Sequence, residues 1–289
     1  MLLSKPLYAD ISGIKTRYFE AGDGDSLILI HGGQFGYPSS AMDWGASLEM
    51  LGRYFHVYAF DKPGQGLSDC PSSANEFVIG TTIQHTYNFM KVMGIEKAHL
   101  VGHSRGGYTV SRLAMEYPEV ASSVIIIDSG TLMPTAPQNW YEERDRKAQQ
   151  ITDPRDFIRF IKEINSYSFE HITEDWIEDT LKIMSSPQFK KATSMWDNLK
   201  NQFKLDMKKR ISETHDWIKQ GRLTVPTMVI WGYNDPSARF SPAGLDMINL
   251  ILNNVAHSQA VILNDSGHYG FREHTLAFVQ AVNGFIRSI

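Results

Sequence analysis

Residues 98–107, AHLVGHSRGG, place a serine between two glycines directly after an apolar run. Residues 102–106 (GHSRG) have the pattern G-x-S-x-G, whose glycines permit a sharp turn that lifts the serine hydroxyl out of the backbone. Chance supplies such a pentapeptide in on the order of one in ten similar sequences, so the flanking segments matter more than the motif. The apolar run 98–101 predicts a strand, and the pattern of residues 106–117 predicts a helix. Ser104 is therefore the predicted nucleophile.

A serine hydroxyl is a poor nucleophile at neutral pH and needs a base held within hydrogen-bond reach. Histidine is the natural candidate for this base. Of the ten histidines, His268 follows the apolar run 260–263 and precedes the last helical pattern, which places it in a loop at the carboxyl end of a strand. Functional groups of open α/β sheets gather at this edge. His56 and His99 begin or lie within predicted strands, so His268 is the predicted general base.

A third residue, an acid, is needed to orient the histidine. Residues 231–235 (WGYND) end the apolar run 226–231 in a glycine turn and place Asp235 at the same edge of the sheet. In one known arrangement the acid lies between the serine and the histidine in the chain, as Asp235 does. Asp128, at the end of the run 124–128, is the rival, since related folds sometimes take the acid from that strand. We predict Asp235 and keep Asp128 as the alternative.

Two further glycine turns follow predicted strands. Residues 31–33 (HGG) come directly after the run 26–30, and their glycines let the backbone approach a reacting carbonyl. We predict that the N–H groups of Gly33 and Arg105 form an oxyanion hole. Residues 61–68 (DKPGQGLS) lack the third glycine and the downstream acid of a dinucleotide-binding fingerprint. We therefore predict a structural turn there and no cofactor.

Short apolar runs alternate with helical patterns along the chain. Runs typical of strands that are covered on both faces occur at 26–30, 55–60, 98–101, 124–128 and 226–231. The helical patterns between several of them, at 78–93 and 106–117, indicate a mostly parallel, doubly wound α/β sheet. The alternation then stops, and amphipathic helices are predicted at 154–164, 173–184, 187–204 and 211–219. We predict a helical cap, residues 132–222, inserted after the sixth strand of a core formed by 1–131 and 223–289.

Composition and charge exclude several classes of protein. The 289 residues carry 28 basic and 32 acidic side chains, without the basic stripe of a phosphate-tracking protein, so no nucleic-acid partner is expected. Cys70 is the only cysteine, which excludes an intrachain disulfide and a cysteine-based metal site, and we predict no metal.

The sequence also gives expectations about location and partners. No run reaches the roughly 18 apolar residues that span a bilayer, and the start MLLSKPLYADISG lacks a secretory h-region. We expect a cytoplasmic protein that binds a small molecule and no membrane, and homo-oligomerisation is left open.

Five motifs together resemble the α/β-hydrolase family over nearly the whole chain: HGG at 31–33, DKPGQGLSD at 61–69, HLVGHSRGG at 99–107, VIWGYND at 229–235 and SGH at 266–268. Within that family the cap segment 167–175 and the loop 31–44 look like the meta-cleavage product hydrolases. Those enzymes cut a carbon–carbon bond in the dienoates left by aromatic ring fission. The resemblance implies an acyl-enzyme mechanism like that of esterases, because the ketonised substrate offers a carbonyl that serine attacks.

Three positions depart from the pattern that this resemblance implies. A carboxylate-binding arginine of the cap is replaced by Thr180, an asparagine before the nucleophile by His103, and a tryptophan after the catalytic histidine by Tyr269. Burying a carboxylate without a cation is costly. Arg105 resembles the arginine that fluoroacetate dehalogenases place in an H-D-R-G motif to hold a carboxylate. We expect Arg105, His103 and Tyr269 to contact substrate, with a structural ion pair or a surface position as the alternative for Arg105.

Three functions of different classes follow from these residues. The first is hydrolysis of a carbon–carbon bond next to a ketone in a ring-fission dienoate, accompanied by ester hydrolysis. The second is a carboxylesterase acting on small or aromatic esters, which needs the same triad and oxyanion hole. The third is a non-catalytic ligand receptor, because fold does not fix function. The intact serine, acid, histidine and HGG argue against a receptor, and Ser104 stands where dehalogenases and epoxide hydrolases need an aspartate.

Overall fold

Eight strands form one sheet in the computed structural model of the chain, which describes residues 5–134 and 140–289. The strands are β1 Leu7–Ile11, β2 Ile14–Ala21, β3 Ser26–Ile30, β4 His56–Phe60, β5 Ala98–His103, β6 Ala121–Ile127, β7 Thr227–Gly232 and β8 Ser258–Leu263. Their order is β1-β2-β4-β3-β5-β6-β7-β8. Strands β3 to β8 pair in parallel, whereas β1 and β2 are antiparallel. The predicted mostly parallel sheet is confirmed.

The two antiparallel strands at one edge were not predicted from the apolar pattern. Strand β1 is the edge strand and is half exposed, with Leu7 and Tyr8 among the exposed large side chains. A strand that faces solvent lacks the continuous apolar run of a strand covered on both faces. This accounts for β1, whereas β2 is buried at residues 16–19 and gives no apolar run because Thr16 and Arg17 are polar.

Helices cover both faces of the sheet. One face packs against α2 Ile79–Val92, α3 Arg105–Glu116 and α8 Leu245–Asn254. The other face packs against α1 Ala46–Leu51, the short α9 Gly270–Glu273 and α10 Thr275–Arg287. Consecutive residues of β5 point to opposite faces, so Leu100 lies in the first core and Val101 in the second. The doubly wound arrangement predicted from the sequence is confirmed.

A helical segment lies between β6 and β7. It contains α4 Trp140–Ala148, α5 Pro154–Glu163, α6 Glu174–Ser185 and α7 Pro187–Lys219. The prediction of two helices at 187–204 and 211–219 is wrong, because α7 is continuous over 33 residues. Residues 205–210 interrupt the apolar spacing but contain no glycine or proline, and lysine, arginine, leucine and methionine have high helix propensity. None of the helices in the described residues is long and apolar enough to cross a membrane.

Buried polar contacts join this helical segment to the sheet. Arg17 of β2 donates to Asp61 over 2.6 Å and to Asp179 of α6 over 2.9 Å. Trp176 of α6 donates from Nε1 to Oδ1 of Asp43 over 2.8 Å. Charge-assisted bonds of this kind fix geometry as well as adding energy. The bounds 132–222 of the cap stay a prediction, and 135–139 lie outside the described residues.

Candidate active site

Ser104 lies at the sharp turn between β5 and α3, with a backbone φ of +53°. This region is strained for a residue with a side chain and persists only where neighbouring structure holds it. The Ser104 N–H donates to the carbonyl of Ile127 over 2.7 Å, and the Ser129 hydroxyl donates to the Ser104 carbonyl over 2.6 Å. A Cβ atom on Gly102 would lie 2.2 Å from the carbonyl oxygen of Gly106, so the turn requires a glycine at position 102.

His268, in the loop after β8, donates from Nδ1 to Oδ2 of Asp235 over 2.6 Å. Asp235 follows β7, and its side chain is fully buried. Its Oδ1 accepts hydrogen bonds from the N–H and hydroxyl of Ser237 and from the N–H of Ala238. The His268 N–H donates to the carbonyl of Asn165 over 2.7 Å. Because Nδ1 carries the proton of the neutral ring, Nε2 is the nitrogen that can accept one.

Asp128, the rival acid, has a different partner. It comes directly after β6 with a φ of +44°, and its Oδ1 accepts a hydrogen bond from the N–H of Gly232 over 2.7 Å. Burial, followed by the charge of Asp235, raises the pKa of Asp128 well above its ordinary value. The structure therefore pairs the imidazole of His268 with Asp235 and leaves Asp128 beside that pair.

One cavity of about 550 Å³ brings most of the predicted site residues together. Its walls include Gly33, His103, Ser104, Arg105, His268 and Tyr269. Asp235 does not line this cavity and reaches it through His268. Among the described residues no hydrogen bond joins Ser104 Oγ to His268, and catalytic contacts often tighten only when substrate binds. The same ranges contain no group of three metal-ligating side chains.

The two predicted oxyanion donors lie in the loop after β3 and at the start of α3, and both line the cavity. Arg105 is the first residue of α3, where helix N–H groups have no partner within the helix. Gly33 has a φ of +75°, and the Nζ atom of Lys62 donates to its carbonyl over 3.0 Å. The ring of His31 donates from Nδ1 to the carbonyl of Gly32 over 2.8 Å. These contacts fix the loop carbonyls, and the oxyanion role of the two N–H groups stays a prediction.

Two of the predicted substrate contacts, His103 and Tyr269, are buried aromatic walls of the cavity. His103 donates from Nε2 to the carbonyl of His268 over 2.8 Å, and the two rings lie 4.5 Å apart. Burial, followed by the charge of His268, lowers the pKa of His103 well below its ordinary value, so this ring stays neutral. The Tyr269 ring packs edge-on against Trp176 at 5.2 Å. Both side chains border the space next to Ser104.

Arg105 and Thr180 differ in their access to the cavity. The Nη1 atom of Arg105 donates to Oε1 of Gln34, and its guanidinium lies 5.5 Å from the ring centre of Phe203. Arg105, Gln34 and Phe203 all line the cavity. Thr180 is buried within α6, where its hydroxyl donates to the carbonyl of Trp176, and it does not line the cavity. The cation next to the nucleophile therefore comes from Arg105.

Comparison with known proteins identifies the family. A sequence model of the alpha/beta hydrolase fold matches residues 25–275. The chain belongs to the α/β-hydrolase fold family. This α/β hydrolase is 26% identical, over 96% of its own length and 90% of the relative's, to the 2-hydroxy-6-oxo-6-(2'-aminophenyl)hexa-2,4-dienoic acid hydrolase of Metapseudomonas resinovorans. It is 25% identical, over 96% and 93% of the two chains, to the 2-hydroxy-6-oxo-6-phenylhexa-2,4-dienoate hydrolase of Comamonas testosteroni.

A solved structure has the same fold. The meta-cleavage product hydrolase of Pseudomonas fluorescens IP01 matches this α/β hydrolase with a TM-score of 0.78 and 22% identity, covering 99% of this chain and 98% of that chain. The prediction of an enzyme of the α/β-hydrolase family, resembling meta-cleavage product hydrolases, is confirmed.

The α/β hydrolase also has cavity residues that sequence reasoning missed. One face of α7 contributes Lys200, Phe203, Lys204 and Met207, and α4 contributes Arg144. Lys200, Phe203, Lys204 and Met207 stand at positions i, i+3, i+4 and i+7, the helical periodicity that could have identified the face. The cavity walls carry the cations Arg105, Arg144, Lys200 and Lys204 and the acids Asp43 and Asp145, whereas the whole chain has a net charge of −4. The cavity is therefore more positive than the protein around it, which favours anionic ligands.

Proposed function

We propose that this α/β hydrolase is a serine hydrolase that cleaves a carbon–carbon bond next to a ketone in an aromatic ring-fission dienoate, with ester hydrolysis as an accompanying activity. One observation carries the proposal. Ser104 at its strained turn and His268 held by Asp235 border the same cavity. The names of the relatives that hydrolyse dienoates support the choice of substrate class.

In the proposed mechanism Ser104 is the nucleophile and His268 the general base. The Ser104 hydroxyl attacks the carbonyl carbon of the ketonised substrate while Nε2 of His268 takes its proton. The N–H groups of Gly33 and Arg105 donate to the resulting oxyanion. The carbon–carbon bond then breaks, the departing carbanion takes the proton from His268, and an acyl-Ser104 ester remains. A water molecule attacks this ester with His268 again as base, which releases the acid and restores the serine.

Arg105 supplies the cation for the carboxylate of the proposed substrate. It directly follows the nucleophile, and its guanidinium shares the cavity wall with the amide of Gln34. A guanidinium fork matches a carboxylate geometrically and donates two parallel hydrogen bonds. In this role Arg105 compensates for the carboxylate-binding arginine that Thr180 replaces in the cap.

A carboxylesterase is the second candidate function, and Thr180 is the observation that favours it. An uncharged Thr180 that does not line the cavity, at the position where an arginine would hold a carboxylate, suits a neutral acyl group. We propose to measure hydrolysis of a short p-nitrophenyl ester and of a ring-fission dienoate side by side, by absorbance. The first proposal expects the larger kcat/KM for the dienoate. Turnover of the ester alone would favour the esterase, and turnover of neither would favour a ligand receptor.

We also infer where and how the enzyme acts. The sole cysteine, Cys70, is buried and forms no disulfide, which suits a protein of the reducing cytoplasm. We propose a small-molecule substrate admitted beneath a cap formed by residues 132–222. Fractionation of the native host, with a cytoplasmic marker enzyme as reference, tests the location.

A further inference from the structure

Asp128 ties the ends of two adjacent strands together. Its backbone N–H donates to the carbonyl of Ile230 over 3.1 Å, and its Oδ1 accepts from the N–H of Gly232 over 2.7 Å. The first bond continues the ladder between β6 and β7, and the second adds a side-chain contact just beyond it. The side chain is fully buried, so this short bond is shielded from water. The position of Gly232 therefore depends on Asp128.

Gly232 is the point at which the acid loop and the histidine loop touch. A Cβ atom there would lie 2.2 Å from the carbonyl oxygen of Gly267, so the backbones are in direct contact. The carbonyl of Gly232 accepts from the N–H of Asp235 over 3.2 Å. The N–H of Asn234 donates to the carbonyl of Ser266 over 2.9 Å. A shift of Gly232 would therefore move Asp235 and the residues next to His268 together.

The other carboxyl oxygen of Asp128 indicates which form of the acid is present. Oδ2 is buried and takes no hydrogen bond from any residue that the structure describes. The ionisable groups that interact with this carboxyl are Asp235, on the loop after β7, and Glu273 of α9, and both are acids. A buried carboxylate without a cation or a full set of donors is unstable. Burial and the charge of Asp235 raise the pKa of Asp128 and so favour its neutral form, whereas the oxygens of Asp235 accept four hydrogen bonds.

We propose that Asp128 is a positioning residue for the Ser104–His268–Asp235 triad, acting through the hydrogen bond from Gly232 to its Oδ1. This inference rests on the serine hydrolase function proposed above. Asp128 works without a charge, as a neutral acid that holds the crossing point of the two loops. This role requires a side-chain oxygen that accepts the hydrogen bond from Gly232. A neutral acid provides that oxygen without placing a second negative charge beside Asp235.

Two variants separate these requirements. Asp128→Asn keeps an acceptor oxygen and mimics the neutral acid, so its kcat is expected within about threefold of the wild type. Asp128→Ala removes the acceptor, and kcat is expected to fall roughly ten- to a hundredfold with KM nearly unchanged, because small displacements of a catalytic group have effects of this size. Ester hydrolysis at steady state gives both constants, and circular dichroism checks the fold of each variant.

The acidic limb of the kcat/KM profile against pH distinguishes positioning from a charge effect. If Asp128 is neutral, Asp128→Asn leaves that limb in place. If Asp128 were charged, removing its charge would destabilise the nearby imidazolium and move the limb to lower pH. A shifted acidic limb in Asp128→Asn would overturn the proposal. It would also be overturned if kcat fell equally in Asp128→Asn and Asp128→Ala, or if Asp128→Ala kept wild-type kinetics. If the alanine variant does not fold, the asparagine profile decides alone.

Proton NMR gives a readout that does not depend on the substrate. The proton shared by His268 and Asp235 across 2.6 Å should give a low-field resonance in the wild type. We expect this resonance to persist in Asp128→Asn and to shift or broaden in Asp128→Ala. An unchanged resonance in the alanine variant contradicts positioning by Asp128. A wild type with this resonance but no hydrolysis of any ester or dienoate would contradict the proposed function instead.

Discussion

Asp235 and His268 face each other across 2.6 Å, although they lie 33 residues apart on loops that follow β7 and β8. The carboxylate accepts from Nδ1, which fixes the tautomer of the ring and directs its basic nitrogen away from Asp235. Three donors on the other carboxyl oxygen hold Asp235 in place. This contact converts a histidine in a loop into a base of defined orientation.

Replacing Asp235 by asparagine tests that contact. An asparagine keeps the shape of the side chain but favours the wrong tautomer of His268, and kcat is expected to fall roughly 10³- to 10⁴-fold. The exposed Asp265, in the loop before His268, offers a matched control. Asp265→Asn should stay within about twofold of the wild type. A loss below tenfold in Asp235→Asn, measured by ester hydrolysis, would show that His268 is oriented by another group.

Arg105→Met tests the proposed carboxylate contact. A charge-assisted hydrogen bond is worth about 1.5–3 kcal/mol, so kcat/KM for an anionic dienoate should fall roughly ten- to a hundredfold. Neutral p-nitrophenyl esters should be nearly unaffected, because the oxyanion hole uses the backbone N–H of this residue. Arg53→Met, at an exposed position outside the cavity, controls for the change in net charge. Equal losses on both substrates would mean that Arg105 supports the turn and does not bind the carboxylate.

Because Lys162 is buried, we expect the stability of the folded protein to depend on pH. It is buried in α5, with Nζ 3.4 Å from the ring centre of Trp176, and burial lowers its pKa from 10.5 to about 7. Between these two values the unfolded chain binds a proton that the folded protein does not, so this residue makes stability rise with pH. Below about pH 7 the folded and unfolded chains both bind the proton, and the full cost of burying this charge lowers stability.

Lys162→Met removes this dependence. Thermal unfolding should show the variant several degrees more stable than the wild type at pH 6, with the gap narrowing toward pH 10. Lys182→Met, at an exposed position of α6, should show no such convergence. Parallel curves for Lys162→Met and the wild type over this range would mean that Lys162 keeps its charge throughout.

The sequence predicted those site residues whose positions depend on strand ends. Ser104, Asp235 and His268 each follow an apolar run and a glycine turn, and parallel strands bring their carboxyl ends to one edge. The pairing of His268 with Asp235 and not with Asp128 could not be read in the same way. Both acids end neighbouring strands, and only the path of each loop decides which carboxylate reaches the ring.

Other features depend on tertiary packing that apolar spacing does not encode. Lys62 lies in a turn predicted to be structural, and only the fold shows its contact with the Gly33 carbonyl. Lys200 and Lys204 are exposed side chains of α7 whose charges resemble those of any solvated helix face. They line the cavity because one face of α7 forms part of its wall. The spacing groups them on one face of the helix, but only the fold shows that this face borders the cavity.

The most direct test of the central claim is to identify the residue that becomes acylated. His268→Ala should slow both acylation and deacylation, but the p-nitrophenolate leaving group needs no proton, so a p-nitrophenyl ester should still leave an acyl group on the enzyme that rapid quenching traps. Peptide mass spectrometry is expected to locate this group on Ser104, and Ser104→Ala should show neither adduct nor turnover while keeping its fold. An adduct on another residue, or turnover of Ser104→Ala within about tenfold of the wild type, would contradict the account.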